Sequence, residues 1–303
     1  MPAFRVWIEA GRVTMMNLLV FGLGFSAQHY LAADAARWTR IVATVRDPAR
    51  AAALGSSACT VLFFDGRIVS PELTATIEQA DALLISAPPG EEGDPVLVRC
   101  GDALIESGRV RDVVYLSTLG VYGNYDGAWV DENSECRAKD GRTRRRYDAE
   151  QAWLAFGART GAVVTILRLA GIYGPGRSAL DQVRAGTARI IDKPGQVFNR
   201  IHVADIAQAI AAAFERRVGG IFNVCDNEPT PPGDPIVHAA KLLGVAPPSI
   251  IPFDVARPAM SEMAASFYAD CRRVRNDRLK SVLGVSLRYP TYREGLDAIR
   301  RSS

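Results

Sequence analysis

The residues best suited to chemistry follow a short apolar run, 18–21, and form the stretch Gly22-Leu23-Gly24-Phe25-Ser26-Ala27. An apolar strand that runs into a glycine turn and then a helix is the setting of a dinucleotide-binding fingerprint. Gly22 would permit the tight turn, and Gly24 would let the backbone approach a pyrophosphate. Free N–H groups near Phe25 and Ser26, at the start of the helix, would bind the phosphates. On spacing alone, an ordinary strand-to-helix turn is the alternative.

The residue after the second predicted strand bears on the choice of nucleotide. In a doubly wound sheet the ligand lies beyond the carboxyl ends of the strands. Arg46 follows the strand at 41–45, and its guanidinium suits the 2′-phosphate of NADP. Because Asp47 comes next, a shift of one residue would favour NAD instead. We expect NADP, with NAD as the alternative.

Two further strand ends could contact the same cofactor. Asp65 follows the third strand and could accept a hydrogen bond from the adenine amino group, although an ordinary Asp-Gly turn explains this residue equally well. Ala87 and Pro88 lie in the small, rigid segment 86–89 after the fourth strand. The sequence therefore predicts a cofactor surface built from Asp65, Ala87 and Pro88 in addition to the glycines.

These positions require strands that alternate with helices. Strands are predicted at 18–21, 41–45, 60–64, 82–86, 113–117 and 163–169, and helices at about 27–37, 49–54, 71–79, 96–107 and 143–159. This alternation is typical of βαβ units and predicts an α/β fold with a doubly wound parallel sheet, of the Rossmann type. We expect a dinucleotide-binding domain at 16–170, a smaller irregular substrate lobe at 171–303, and a strand at 219–225 that could return to the sheet. Residues 1–15 are expected to be a leader or a disordered tail.

Composition narrows the class of protein. The chain has 303 residues and a net charge of +3, which argues against a nucleic-acid or membrane partner. Its five scattered cysteines form no C-x-x-C pair, so we expect reduced thiols in a cytoplasmic protein, and its three distant histidines indicate no metal site. No apolar run approaches the about 20 residues of a membrane helix. The basic run at 142–146 is interpreted as a solvated face.

Several motifs, in order, resemble those of the extended short-chain dehydrogenase/reductase family, which includes nucleotide-sugar epimerases and dehydratases. They lie at 22–27, 116–123, 167–176 and 200–207. The two closing stretches, 273–283 and 287–296, look like an atypical branch described only as epimerase/dehydratase. The resemblance covers nearly the whole chain from Met16, and it implies a small-molecule substrate and a homodimer formed through the helices at 96–107 and 143–159.

The resemblance also implies a set of catalytic groups. In the family a tyrosine acts as acid and base in hydride transfer, a serine or threonine bonds the same substrate oxygen, and a lysine four residues after the tyrosine lowers its pKa. Thr118 and Tyr147 match the first two positions, but Gln151 occupies that of the lysine. Three interpretations are open: Tyr147 acts only as a proton donor, Arg144 supplies the cation, or Tyr147 is a partly buried aromatic in a protein that does not catalyse.

Two departures concern the substrate. Gly171 stands where sugar-nucleotide members carry asparagine, and Phe198 where they carry an arginine for the diphosphate, although Arg200 is close by. We therefore expect an NADP-preferring oxidoreductase that acts on a carbonyl or secondary alcohol of a small polar substrate. A nucleotide-sugar epimerase or dehydratase and a non-catalytic NADP(H)-sensing regulator are the alternatives.

Overall fold

A seven-stranded parallel sheet forms the centre of the computed structural model, which describes residues 8–9, 12–13, 16–54, 59–139 and 141–302. Its strands are β1 (Asn17–Phe21), β2 (Arg40–Val45), β3 (Thr60–Phe63), β4 (Ala82–Ile85), β5 (Asp112–Thr118), β6 (Val163–Leu169) and β7 (Gly220–Val224). Their spatial order is β7-β6-β5-β4-β1-β2-β3. The predicted doubly wound α/β fold is confirmed, and β7, which corresponds to the segment expected at 219–225, lies beside β6.

Helices cover both faces of this sheet. They are α1 (Phe25–Asp34), α2 (Pro48–Leu54), α3 (Pro71–Ile77), α4 (Pro95–Ser107), α5 (Gly141–Thr160) and, after β6, α7 (Val203–Arg216), with 3-10 turns at Ala35–Arg37 and Leu119–Tyr122. Tyr30 of α1 and Phe214 of α7 belong to the core on one face. Leu73, Leu104 and Trp153, from α3, α4 and α5, belong to the core on the other. Burial on both faces explains why the strands are continuous apolar runs.

The rest of the chain forms a smaller lobe of short elements. Its helices are α6 (Ala179–Arg184), α8 (Asp234–Leu243), α9 (Phe253–Ala256), α10 (Glu262–Ala269), α11 (Asp277–Ser281) and α12 (Tyr292–Arg301), with a 3-10 turn at Arg257–Ala259. Short parallel strand pairs join Gly171–Tyr173 to Arg200–His202, Ile190–Asp192 to Ile250–Pro252, and Trp129–Val130 to Arg273–Val274. In α7, the Asp205 carboxylate accepts hydrogen bonds from the N–H groups of Arg288 and Tyr289, at 2.6 and 3.1 Å. This carboxylate ties the lobe to the helical layer.

Most of the predicted leader, 1–15, lies outside the described residues. Within it the structure describes Ile8–Glu9 and Arg12–Val13, two short antiparallel strands. Across the described ranges, no helix combines the length and the apolar character needed to cross a membrane.

A buried ion pair fixes the rotation of α5 against the sheet. Glu150 of α5 and Arg168 of β6 are 0% and 2% exposed, and Arg168 Nη2 lies 2.7 Å from Glu150 Oε2. Arg168 Nε donates to both carboxylate oxygens at 3.2 Å. The hydroxyl of Ser117, opposite Arg168 in the sheet, donates to the same carboxylate. Because both groups are removed from water, each charge is stabilised by the other, and removal of one leaves the other buried without a counterion.

Removing one member of this pair is therefore expected to destabilise the folded protein. Arg168→Met should lower the free energy of unfolding by about 3–5 kcal/mol, because it leaves a buried carboxylate without its cation. The double variant Glu150→Leu/Arg168→Met should recover part of that loss. Arg144→Met, which breaks the exposed pair with Asp148, should change stability by no more than the error of a urea titration. Equal stability of the Arg168 and Arg144 variants would show that the buried pair does not hold α5.

Candidate functional site

The turn after β1 passes directly against the end of β4. Gly22 has a φ of +94°, and a Cβ at this position would lie 2.9 Å from the backbone nitrogen of Ala87. The N–H groups of Gly22 and Leu23 donate to the hydroxyl and carbonyl oxygens of Thr44 in β2, at 3.1 and 2.8 Å. The turn thus requires glycine both for its left-handed backbone and for space.

Helix α1 starts with uncapped N–H groups. Gly24 is its N-cap and provides no side-chain hydrogen bond, and the first intrahelical bond runs from Gln28 N to Gly24 O at 2.9 Å. Within the described residues, the N–H groups of Phe25 and Ser26 have no acceptor. A Cβ on Gly24 would meet only Ser86 Oγ, at 3.9 Å, so ligand atoms can approach this backbone. Open backbone and free donors at the positive end of the helix fit a pyrophosphate.

A cavity of 1030 Å³ opens beyond the carboxyl ends of β1 to β4. The predicted cofactor-binding residues that line it are Gly22, Leu23, Gly24, Arg46, Asp65, Ala87 and Pro88. Phe25 and Ser26 follow in the first turn of α1. Sequence reasoning missed Arg50, Arg67 and Arg99, which also line the cavity. They lie in a helix or loop after a strand end, where a single sequence does not show which side chains turn back toward the ligand.

Arg46 and Asp47 have different roles at the end of β2. One Asp47 carboxylate oxygen accepts a hydrogen bond from Ala49 N at 2.9 Å, so the side chain stabilises the start of α2. Arg46 is exposed, lines the cavity, and has no acidic partner in the described part of the chain. Nearby, Arg50 Nη2 donates weakly to the carbonyl oxygen of Leu23, at 3.4 Å. The end of β2 therefore presents unpaired positive charge to the cavity.

Asp65 shapes the turn after β3. Its Oδ1 atom accepts hydrogen bonds from the N–H groups of Arg67 and Ile68, at 2.9 and 3.3 Å. The bond from Arg67 N is the main reason that the pKa of Asp65 lies below its usual value. Both of these turn hydrogen bonds are accepted by Oδ1, so Oδ2 can still accept a hydrogen bond from a ligand.

Thr118 ends β5, and its side chain shapes the turn that follows. Its Oγ1 atom accepts a hydrogen bond from Gly120 N at 3.1 Å, which begins the 3-10 turn Leu119–Tyr122. A Cβ on Gly120 would lie 3.0 Å from Thr143 Cγ2 and 3.4 Å from Thr118 Oγ1. The first turn of α5 is therefore packed against the Thr118 turn.

Tyr147 lies one helical turn after Thr143 and is half-buried. The guanidinium carbon of Arg144 lies 5.6 Å from the centre of its ring, and Arg144 Nε donates to Asp148 Oδ1 at 2.9 Å. Gln151, at the lysine position, is exposed. The structure thus places Thr118 and Tyr147 on neighbouring elements and leaves Gln151 toward solvent.

Arg146 is a candidate site residue that sequence reasoning missed. Its Nη1 atom donates to the Tyr115 hydroxyl and to the Leu116 carbonyl oxygen, at 3.1 and 3.0 Å. The expectation that the run 142–146 is a solvated face is wrong for Arg146, because α5 turns this side chain toward the end of β5. Its spacing from Glu150, four residues on, puts both on one helix face, and that was an available signal.

The chain is similar to proteins that bind nicotinamide nucleotides. A family model described as NAD(P)H-binding matches residues 23–217. A 3-diazoavenalumate denitrifying reductase of Streptomyces sp is 31% identical over 137 residues, which cover 43% of this chain and 45% of the reductase. The chain thus spans less than half the length of that curated relative.

Solved structures share the whole fold. A functionally unknown conserved protein from Silicibacter pomeroyi DSS has a TM-score of 0.86 and 44% identity, over 95% of this chain and 99% of that one. Human epimerase family protein SDR39U1 (isoform 2), solved with NADPH, has a TM-score of 0.71 and 18% identity, over 95% of this chain and 100% of that one. The chain belongs to the NAD(P)H-binding family, and its fold is the one found in extended short-chain dehydrogenases/reductases and NAD-dependent epimerases/dehydratases.

Proposed function

We propose that the chain is an NADP-preferring oxidoreductase that acts on a carbonyl or secondary alcohol of a small polar substrate. The cavity at the strand ends carries this proposal, since it combines the glycine turn on one side with Arg46, which has no acidic partner among the described residues, on the other. Gly22, Gly24 and the start of α1 would hold the pyrophosphate. A bound nicotinamide nucleotide supplies or accepts the hydride.

The preference for NADP rests on charge. Asp47, which would favour NAD if it reached the ribose, already accepts a hydrogen bond from Ala49 N at the start of α2. Arg46 has no such partner among the described residues, and a guanidinium binds a 2′-phosphate well. The two neighbouring residues thus favour NADP.

Thr118 and Tyr147 would act on the substrate oxygen. Because Thr118 Oγ1 accepts the hydrogen bond from Gly120 N, its own hydroxyl hydrogen is available for the substrate. The Tyr147 hydroxyl has no hydrogen-bond partner in the described part of the chain and would donate a proton during reduction. Reduction requires the neutral phenol, so this direction does not depend on a lysine at position 151.

A non-catalytic NADP(H) sensor is the second candidate. The observation that favours it is that Gln151 is exposed and uncharged. In addition, Arg146 already donates hydrogen bonds to the Tyr115 hydroxyl and the Leu116 carbonyl oxygen. No cation then lies on the helix turn after Tyr147 to stabilise a tyrosinate. A nucleotide-sugar epimerase or dehydratase has less support, because Gly171 and Phe198 lack the side chains that sugar-nucleotide members carry.

Two glycine variants distinguish an effect on the stability of the fold from an effect on cofactor binding. Gly24→Ala should leave the melting temperature unchanged but raise the Kd for NADPH about tenfold, because a methyl group would stand where the backbone meets the pyrophosphate. Gly22→Ala should lower stability by about 1–3 kcal/mol, since it combines a positive φ with a contact of 2.9 Å. Gly101→Ala, with no atom within 4 Å of the added Cβ, is the control. Unchanged NADPH affinity in Gly24→Ala would contradict the pyrophosphate placement.

Nucleotide preference can be measured by fluorescence titration. NADPH should bind more tightly than NADH, and Arg46→Ala should weaken NADPH binding about tenfold with little effect on NADH, because only NADPH carries the 2′-phosphate. Arg40→Ala, at the opposite end of β2, should change neither affinity. Equal or tighter binding of NADH by the unaltered protein would refute the preference.

Turnover distinguishes the enzyme from the sensor. In a panel of carbonyl compounds with NADPH, Tyr147→Phe should slow reduction of any accepted substrate by about a hundredfold without changing the NADPH Kd. Tyr125→Phe, which removes a hydroxyl bonded to Glu135 O, should retain the rate. If the unaltered protein binds NADPH but reduces no member of the panel, the sensor is favoured. A full rate in Tyr147→Phe would exclude its role as the acid.

A further inference from the structure

Arg146 connects the first half of α5 to β5. Its Nη1 atom donates to the Tyr115 hydroxyl and the Leu116 carbonyl oxygen, at 3.1 and 3.0 Å. Its guanidinium carbon lies 5.6 Å from the ring centre of Tyr115, which is 0% exposed. Because β4 ends at Ile85, which pairs with Tyr115, Leu116 lies one residue beyond the last pair of β4 with β5. Arg146 therefore contacts β5 at the point where β4 stops.

The charge of this guanidinium also acts on the start of α4. Asp94, the N-cap of α4, is 3% exposed, and its Oδ1 atom accepts hydrogen bonds from Val96 N and Leu97 N, at 3.0 and 3.3 Å. Burial raises the pKa of Asp94, and the charge of Arg146 is one of the effects that oppose burial. With two oxygen acceptors and a buried carboxylate nearby, the planar guanidinium has a defined position. Elements α4, α5 and β5 thus meet around Arg146.

The predicted catalytic groups lie beside this contact. Tyr147 is the next residue of α5, and Thr118 lies two residues after Leu116 in β5, about 7 Å along the strand. Tyr147 and Thr118 must both reach one substrate oxygen, so the distance between α5 and β5 at this level determines whether they can. Glu150 fixes the rotation of α5 but lies three residues beyond Tyr147. Arg146, in contrast, is adjacent to the tyrosine.

We propose that Arg146 is a positioning residue, which holds α5 at the distance from β5 that lets Tyr147 and Thr118 contact the same substrate oxygen. This inference rests on the proposed oxidoreductase function. Arg146 acts through Tyr147 and not on the substrate, because both hydrogen bonds of its Nη1 atom go to the protein. Since its acceptors are neutral and the side chain is half-buried, water can replace it at little cost in stability. Its main effect is on the position of the tyrosine.

Steady-state kinetics with NADPH and the panel of carbonyl compounds test this role. Arg146→Met should lower kcat about tenfold with little change in KM or in the Kd for NADPH, because a displaced acid slows the chemical step without removing a binding contact. Its melting temperature should fall by no more than about 4 °C. Arg146→Lys, whose ammonium can still donate a hydrogen bond, should recover part of the rate. Arg159→Met, an exposed arginine near the other end of α5, should retain all of it.

A double-variant cycle distinguishes positioning of Tyr147 from a general loss of structure. In the Tyr147→Phe protein, Arg146→Met should slow the reaction by less than about twofold, since the hydroxyl group that Arg146 positions is already absent. An equal loss in both backgrounds would overturn the proposal, as would a loss confined to KM. If Arg146→Met fails to fold, the same cycle is run with Arg146→Lys, and the same two results support or overturn the proposal.

The same measurements distinguish failure of this role from failure of the proposed function. If the unaltered protein reduces a carbonyl compound and Arg146→Met reduces it at the same kcat, the positioning role is refuted and the oxidoreductase function stands. If the unaltered protein binds NADPH but reduces no member of the panel, the oxidoreductase function is refuted, and the positioning role with it.

Discussion

The contact between Gly22 and the backbone of Ala87 is the constraint on which the cofactor cavity depends. Ser86 N and Ala87 N both donate to Phe21 O, at 2.8 and 2.9 Å, so the end of β4 is bonded to the end of β1. With Thr44 bonded to the other side of the turn, only a residue without a Cβ fits between them. Because β1 lies between β2 and β4 in the sheet, this one turn sets the positions of three strand ends. It also places Gly24, the N-cap of α1, in the wall of the cavity.

The second constraint acts through charge. The Glu150–Arg168 pair is buried, so neither side chain can reach solvent without breaking the ion pair. Successive residues of a helix are separated by 100°, so a fixed Glu150 determines the direction of every side chain of α5. Arg146 then points to the end of β5, and Gln151 points to solvent. Gln151, at the position where the family resemblance implies a lysine, is thus exposed.

These two constraints explain what the sequence could and could not predict. The strands were predictable because each is a continuous apolar run, and the glycine spacing and the strand ends predicted most of the residues that the cavity was expected to present. The rotation of α5 was not predictable from Tyr147 and Gln151, because the first half of this helix is mostly charged and has no apolar periodicity. Its rotation is set by Arg168, which lies in another element. Arg50 and Arg99 were missed for a related reason, since long-range packing decides which side chains after a strand end turn back.

The smaller lobe is also joined to the cofactor end through a glycine. A Cβ on Gly174 would lie 2.6 Å from Val203 Cγ1 and 3.3 Å from Phe25 Cζ. The turn that carries Arg177 can therefore pack directly on the first residue of α1 only because position 174 has no side chain. The guanidinium carbon of Arg177 then lies 5.7 Å from the ring centre of Phe25. The close packing of the lobe on α1 thus brings Arg177 next to the first residue of that helix.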